Sequence, residues 1–128
     1  MEKIINDYEA AQLEQRIFPL VPTQLHTEMK YLIENQFENR AVDNDGTIVR
    51  NVLQEDMNTK YNINEKRGVD GILVKACDDF AAYIEASISI MHGIQSHHLV
   101  DARKNLLEKY KSFEIYGINF GQLYDYFA

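Results

Sequence analysis

The chain predicts an all-α fold, and three observations carry that reading. Apolar residues recur at three- and four-residue spacings over most of its length. It has only 2 prolines and 6 glycines, too few for a turn-rich β architecture. No segment requires a strand to explain its pattern. The 128 residues, 45% of them hydrophobic, suit a single domain spanning 1–128 with a real core.

Residues 2–18 read as an amphipathic helix. Ile4, Ile5, Tyr8, Ala11, Leu13 and Ile17 form its stripe, and Pro19 and Pro22 end it. A second helix starts near Pro22 or Thr23 and carries Leu25, Met29, Leu32, Ile33 and Phe37. AVDNDGTI, residues 41–48, is the clearest loop, because Asp, Asn and Gly together favour a tight turn. Residues 48–58 are expected to form a short helix, and 60–68 a polar connection ending at Gly68.

The central helix is expected from Val69 to His92. At 100° per residue, Val69, Leu73, Ala76, Phe80, Ile84, Ser87 and Met91 fall on one side, flanked by Ile72, Tyr83 and Ile90. The opposite side holds Gly71, Val74, Asp78, Ala81, Ala82, Glu85 and Ser89, small residues rather than simply polar ones. Such a helix is expected to be packed on both sides, with Asp78 partly buried and Asp79 nearer solvent. His92 and Gly93 read as its C-terminal end. Ser96 is a good N-cap for a helix over 97–111, with Leu99, Ala102, Leu106 and Tyr110 as its stripe. The tail YGINFGQLYDYF reads as a turn and one short helix, closing the core with Ile118, Phe120, Leu123, Tyr124 and Phe127.

A net charge of −7 gives the chain no overall attraction for nucleic acid or anionic membranes, and no run of Lys and Arg suggests a local basic patch. No apolar run approaches the roughly 20 residues that cross a bilayer. The N-terminal MEKIINDYEAAQ lacks an apolar signal core, so a cytoplasmic location is expected. Cys77 is the single cysteine, which excludes an intrachain disulfide and reads as a buried thiol.

Few side chains suggest chemistry. In DNDG, aligning Gly46 with the glycine of a calcium loop puts Ala41 first and Val52 twelfth, where acidic ligands are needed, so the segment is a turn. His97 and Asp101 share a helical face, but read as an exposed first turn without a third ligand. His26 stands alone. There is no Gly-rich phosphate loop, activated nucleophile motif or cysteine pair. The adjacent aspartates of KACDDF, Asp78 and Asp79, are the carboxylates of interest, since burying an ionised carboxylate demands partners.

DGILVKACDDFAAYIEASISIMHGIQS resembles the last metal-ligand helix of HD-domain hydrolases, in the branch related to bacterial 5′-deoxynucleotidases. There, a V-K-x-x-D-x-x-x-A-Y helix carries the final aspartate of an H…HD…D metal set, and VKACDDFAAY places Asp78 at that position. FPLVP, FENR followed by DNDG, and YGINFGQLYDYF also look like the second half of these proteins. The resemblance implies an HD-like helical bundle truncated on its N-terminal side, with Asp78 the one retained metal ligand. The family's early His and its His-Asp pair have no counterpart; the four histidines stand in LHT, MHG and SHHL. One carboxylate cannot usefully hold a transition metal. The expectation is therefore a degenerate or partial HD domain with no catalytic or cofactor-binding residues, acting through protein association. A homo-oligomer, or a partner chain supplying the missing helices, would contact the small-residue face of the central helix. The alternative is one half of a split phosphohydrolase for nucleotides or other phosphate esters. It would hold Mn, Co, Zn or Mg only when completed by a partner.

Overall fold

The computed structural model describes residues 2–33 and 35–128. Most of them are helical, in six α-helices, with two small antiparallel hairpins. The chain forms two compact units, residues 1–71 and 72–128. Among the described residues no helix is long and apolar enough to cross a membrane.

The first unit opens with α1 (Glu2–Gln12). The expected helix over 2–18 keeps its direction but not its geometry, loosening to a π-helical turn at Leu13–Ile17 and tightening to a 3-10 turn at Phe18–Leu20. Pro19, which has no N–H to give, sits within the first residues of that last turn. A 3-10 turn at Thr23–Leu25 leads into α2 (His26–Ile33). α2 does not reach Phe37 as expected: residues 35–37 are turn. Asn35 takes a left-handed φ of 54°, which asparagine tolerates better than most residues.

Strands appear where none was expected. β1 (Arg40–Val42) and β2 (Ile48–Arg50) pair antiparallel, with Arg40 opposite Arg50 and Val42 opposite Ile48. The Asp-Asn-Asp-Gly turn makes this pairing possible. The Asp43 N–H donates to the Thr47 carbonyl at 2.8 Å, the Asp45 carboxylate accepts from the Thr47 N–H at 3.0 Å, and Gly46 supplies a φ of +84°. The helix expected at 48–58 shrinks to α3 (Gln54–Thr59), because its first residues are committed to β2. Ala41, Val52, Met57 and Tyr61 form this unit's core cluster, with Val49 packed against it. Asn39, buried beside them, donates to the Val52 carbonyl and to Gln54 Oε1 at 3.0 and 2.9 Å.

The second unit is built on α4 (Gly71–Met91), whose first residue closes the preceding unit. It ends as its sequence foretells, with Gly93 at a φ of +92° and the Gly93 N–H bonded to the Ile90 carbonyl. α5 (His97–Tyr110) follows. A second hairpin, β3 (Glu114–Ile115) and β4 (Ile118–Asn119), turns through Tyr116 and Gly117, both at positive φ. α6 (Phe120–Tyr126) closes the unit. Ala76, Tyr83, Tyr110, Ile115, Phe120 and Tyr124 form the core, with Phe80, Ile84, Leu106 and Phe113 packed around it. It is strongly aromatic: Tyr110 and Tyr124 stack at 5.3 Å, and the Tyr83 and Tyr124 rings lie 4.5 Å apart.

Candidate functional site

The buried stripe of α4 decides which aspartate is held. Beyond its first residue, Gly71, the buried residues are Ala76, Asp79, Tyr83 and Ala86, spaced by three, four and three. The core side is thus rotated toward Tyr83 from the Phe80–Ile84 side expected. That rotation reverses the expectation for the two aspartates: Asp79 is 8% exposed, and Asp78 faces solvent. It also turns Cys77 outward, correcting the expected buried thiol. The small-residue side is open rather than packed: Val74, Asp78, Ala81, Ala82 and Glu85 are exposed, Ser89 is half-buried, and of that side only Gly71 is buried. The neighbouring Ile88 is exposed too.

Asp79 is the centre of a polar network. It accepts from the Tyr110 hydroxyl at 2.5 Å, from Lys109 Nζ at 3.0 Å and from Lys75 Nζ, one turn earlier on α4, at 3.1 Å. Burial alone would push its pKa up. The hydrogen bonds from Tyr110, Lys109 and Lys75 outweigh that and hold it below the ordinary carboxylate value. Burial and the same bond to Asp79 push the Tyr110 phenol well above its usual range. Tyr124, whose buried hydroxyl has no hydrogen-bond partner, is pushed the same way, by burial first and then by the Asp79 charge. Nearby, Arg103 donates to Ser87 Oγ at 2.8 Å and to the Tyr83 hydroxyl at 3.1 Å. Chemically this cluster is a locked carboxylate with neutral phenols, suited to fixing α4 against α5. Its signals were the Lys75–Asp79 spacing and the Lys109–Tyr110 pair, neither of which identifies a partner by itself.

The residues that suggested metal chemistry are not brought together. Asp78 lies on the open side of α4. His92, His97, His98 and Asp101 are exposed, the last three in the opening turns of α5. In the first unit, His26 stacks on Phe18 at 4.8 Å and its Nε2 donates to the Val21 carbonyl at 2.8 Å, a structural role. Among the described residues no three His, Cys, Asp or Glu side chains converge.

The second unit also carries an open groove whose lining is mostly apolar, with Ser87, Arg103 and Lys104 at its polar part. Ile84, Ile88, Met91, Val100 and Phe127 line this groove of about 620 Å³. Met91 is 75% exposed, and Ile88, Val100 and Phe127 are each more than 40% exposed. Ile88 belongs both to this groove and to the outward side of α4, so the two surfaces join there. No family model matches the chain, and no curated protein or solved structure matches it either.

Proposed function

We propose that the chain is a degenerate HD-like domain that works through protein association rather than catalysis. The uncovered side of α4 carries the association part of the reading; it runs against the packed ligand helix that an HD domain implies, so the HD part rests on sequence likeness alone. Val74, Ala81, Ala82 and Ile88 present small and apolar side chains to water, and Ile88 continues into the groove with Met91, Val100 and Phe127. Apolar surface of this continuity favours association, and small side chains let a facing helix approach closely. The likeness of VKACDDFAAY to the last HD ligand helix supports descent from a metallohydrolase. The sequence contains no His-Asp pair to accompany Asp78, and this supports loss of its catalysis.

The first occupant of this surface to test is a second copy of the chain, which requires no other component. Light scattering after size exclusion is expected to give a dimer or larger species for the wild type. Ala81→Arg and Ile88→Asp, both at exposed positions, are expected to give a folded monomer. A wild-type monomer at all accessible concentrations would count against self-association. Metal-dependent phosphatase activity of the purified chain, lost in Asp78→Ala, would overturn the non-catalytic reading.

One observation favours a second reading. Asp78 is exposed, so another chain's ligands could reach its carboxylate. In a split phosphohydrolase, Asp78 would be one ligand of a Mn, Co, Zn or Mg site and the partner would bring the histidines. Failure of the two chains to retain metal together would remove this reading.

A further inference from the structure

The first unit holds a separate cavity of about 420 Å³, walled by Tyr31, Val42 and Ile48 and by Lys30, Arg40, Arg50 and Arg67. No acidic side chain lines it among the described residues. The four cations come from positions scattered between 30 and 67, so no basic run announces them. Carboxylates outside the lining engage three of them: Glu14 pairs with Lys30, Glu28 with Arg67, and Glu38 takes Arg50 in a two-pronged bond at 2.8 Å.

Arg40 is different. It is 4% exposed, and its Nε and Nη2 atoms have no hydrogen-bond partner. Its backbone is fixed by reciprocal bonds with Val69, at 3.0 and 2.8 Å. Its guanidinium lies over the Tyr31 ring, 4.6 Å from the centroid, and that of Arg67 lies over the same ring at 4.8 Å. The Tyr31 hydroxyl is itself committed, donating to the Arg67 carbonyl at 2.8 Å. A buried guanidinium is costly to leave without acceptors. Nε and Nη2 share one edge of the guanidinium plane, the edge that matches two oxygens of a single anion.

We infer that this cavity is an anion site, in which the Arg40 fork receives two oxygens of a phosphate group beside Lys30 and Arg67, which exchange part of their pairing with Glu14 and Glu28 for the anion. The ligand class is a small phosphate monoester. The cavity is larger than a bare phosphate, and Tyr31, Val42 and Ile48 offer an apolar wall to an ester group. Both fork atoms lie beneath the surface, so reception of an anion requires the guanidinium to turn toward the cavity that Arg40 already lines. The site is independent of the α4 surface and of any metal.

The test is titration of the full chain with inorganic phosphate, phenyl phosphate and succinate, followed by amide NMR shifts. Phenyl phosphate is expected to bind more tightly than phosphate, with shifts centred on residues 27–31, 40–50 and 67. Arg40→Lys keeps the charge, loses the fork and is expected to bind at least about tenfold more weakly. Lys30→Gln and Arg67→Gln are expected to weaken binding several-fold, and they provide the readout if Arg40→Lys does not fold. Absence of shifts with either phosphate, or affinities unchanged across these variants, would overturn the site. Succinate binding as tightly as phosphate would overturn the phosphate assignment.

Discussion

The Asp79 carboxylate lies below the surface and takes its donors from both α4 and α5. Lys75 and Lys109 are 40% and 55% exposed, so water competes for them and their share is small. The Tyr110 hydroxyl is buried and has no such recourse. Asp79→Ala is therefore expected to cost about 1–3 kcal/mol, mostly from that stranded donor. Asp79→Asn, which still offers Tyr110 an acceptor, is expected to cost less; urea midpoints compare the two. The pH dependence has a fixed sign. Asp79 is held below its ordinary value in the folded chain, so the unfolded chain binds its proton first as pH falls. The stability from its ionised form is complete above the unfolded pKa, near 3.9, and is lost as pH falls through the lower folded value. The gap between wild type and Asp79→Asn is expected to close over that acidic window and to stay constant from pH 6 to 8. The sequence pattern places Asp78 on the part-buried side and Asp79 nearer solvent, and the structure reverses that order. Both lie within a step or two of the apolar stripe, and the choice rests on whether that stripe is centred on Phe80 or on Tyr83, since both rings pack against Tyr124 of α6.

At the scale of elements, caps and close approaches separate what looks important from what bears load. Ser96 stands at the N-cap of α5 and makes no side-chain capping bond, whereas Asn119, at the N-cap of α6, accepts from the Gln122 N–H at 3.1 Å. Asn119→Ala is expected to cost about 1 kcal/mol and Ser96→Ala close to nothing, measured by denaturant unfolding. Gly71 poses a conflict between propensity and packing. In an open helix, glycine to alanine would gain up to about 1 kcal/mol. Here an added Cβ would overlap the backbone of Phe37 and Glu38, which cannot swing aside like a side chain. Gly71→Ala is therefore expected to destabilise by roughly 1–3 kcal/mol, and a stabilised variant would show that the approach is looser than this. The helices with long apolar periods were legible because their period is local: α4 and α5 begin and end within two residues of their expected ranges. The hairpins were not. Strands of two and three residues carry too few positions to show alternation, so only their turn chemistry was visible, in DNDG and faintly in Tyr116–Gly117.

For the molecule as a whole, length and composition indicated a helical protein with an adequate core. They gave no sign of two compact units, since no Pro- or Gly-rich linker stands at residue 71 and α4 starts there. The units differ in what holds them. Residues 72–128 bury Tyr83 and Tyr124 completely and interlock them with Phe80, Tyr110, Phe113 and Phe120. Residues 1–71 close around a smaller cluster of Ala41, Val52, Met57 and Tyr61, while Ile4, Tyr8 and Leu20 remain exposed. The first unit also contains Arg40, whose fork atoms lack hydrogen-bond partners; the second contains the compensated Asp79. Local opening follows buried apolar contact and satisfied polar groups. Native-state hydrogen exchange is therefore expected to find the slowest amides in α4 from residue 76 to 86 and in the C-terminal half of α5. Amides of α2 and the β1–β2 pair are expected to open at a lower free energy. Ala81→Arg, on the outward side of α4, should leave this order unchanged, whereas Asp79→Ala should lower protection in α4 and α5 first. Equal protection across the chain, lost together as denaturant is added, would mean that the two units unfold as one.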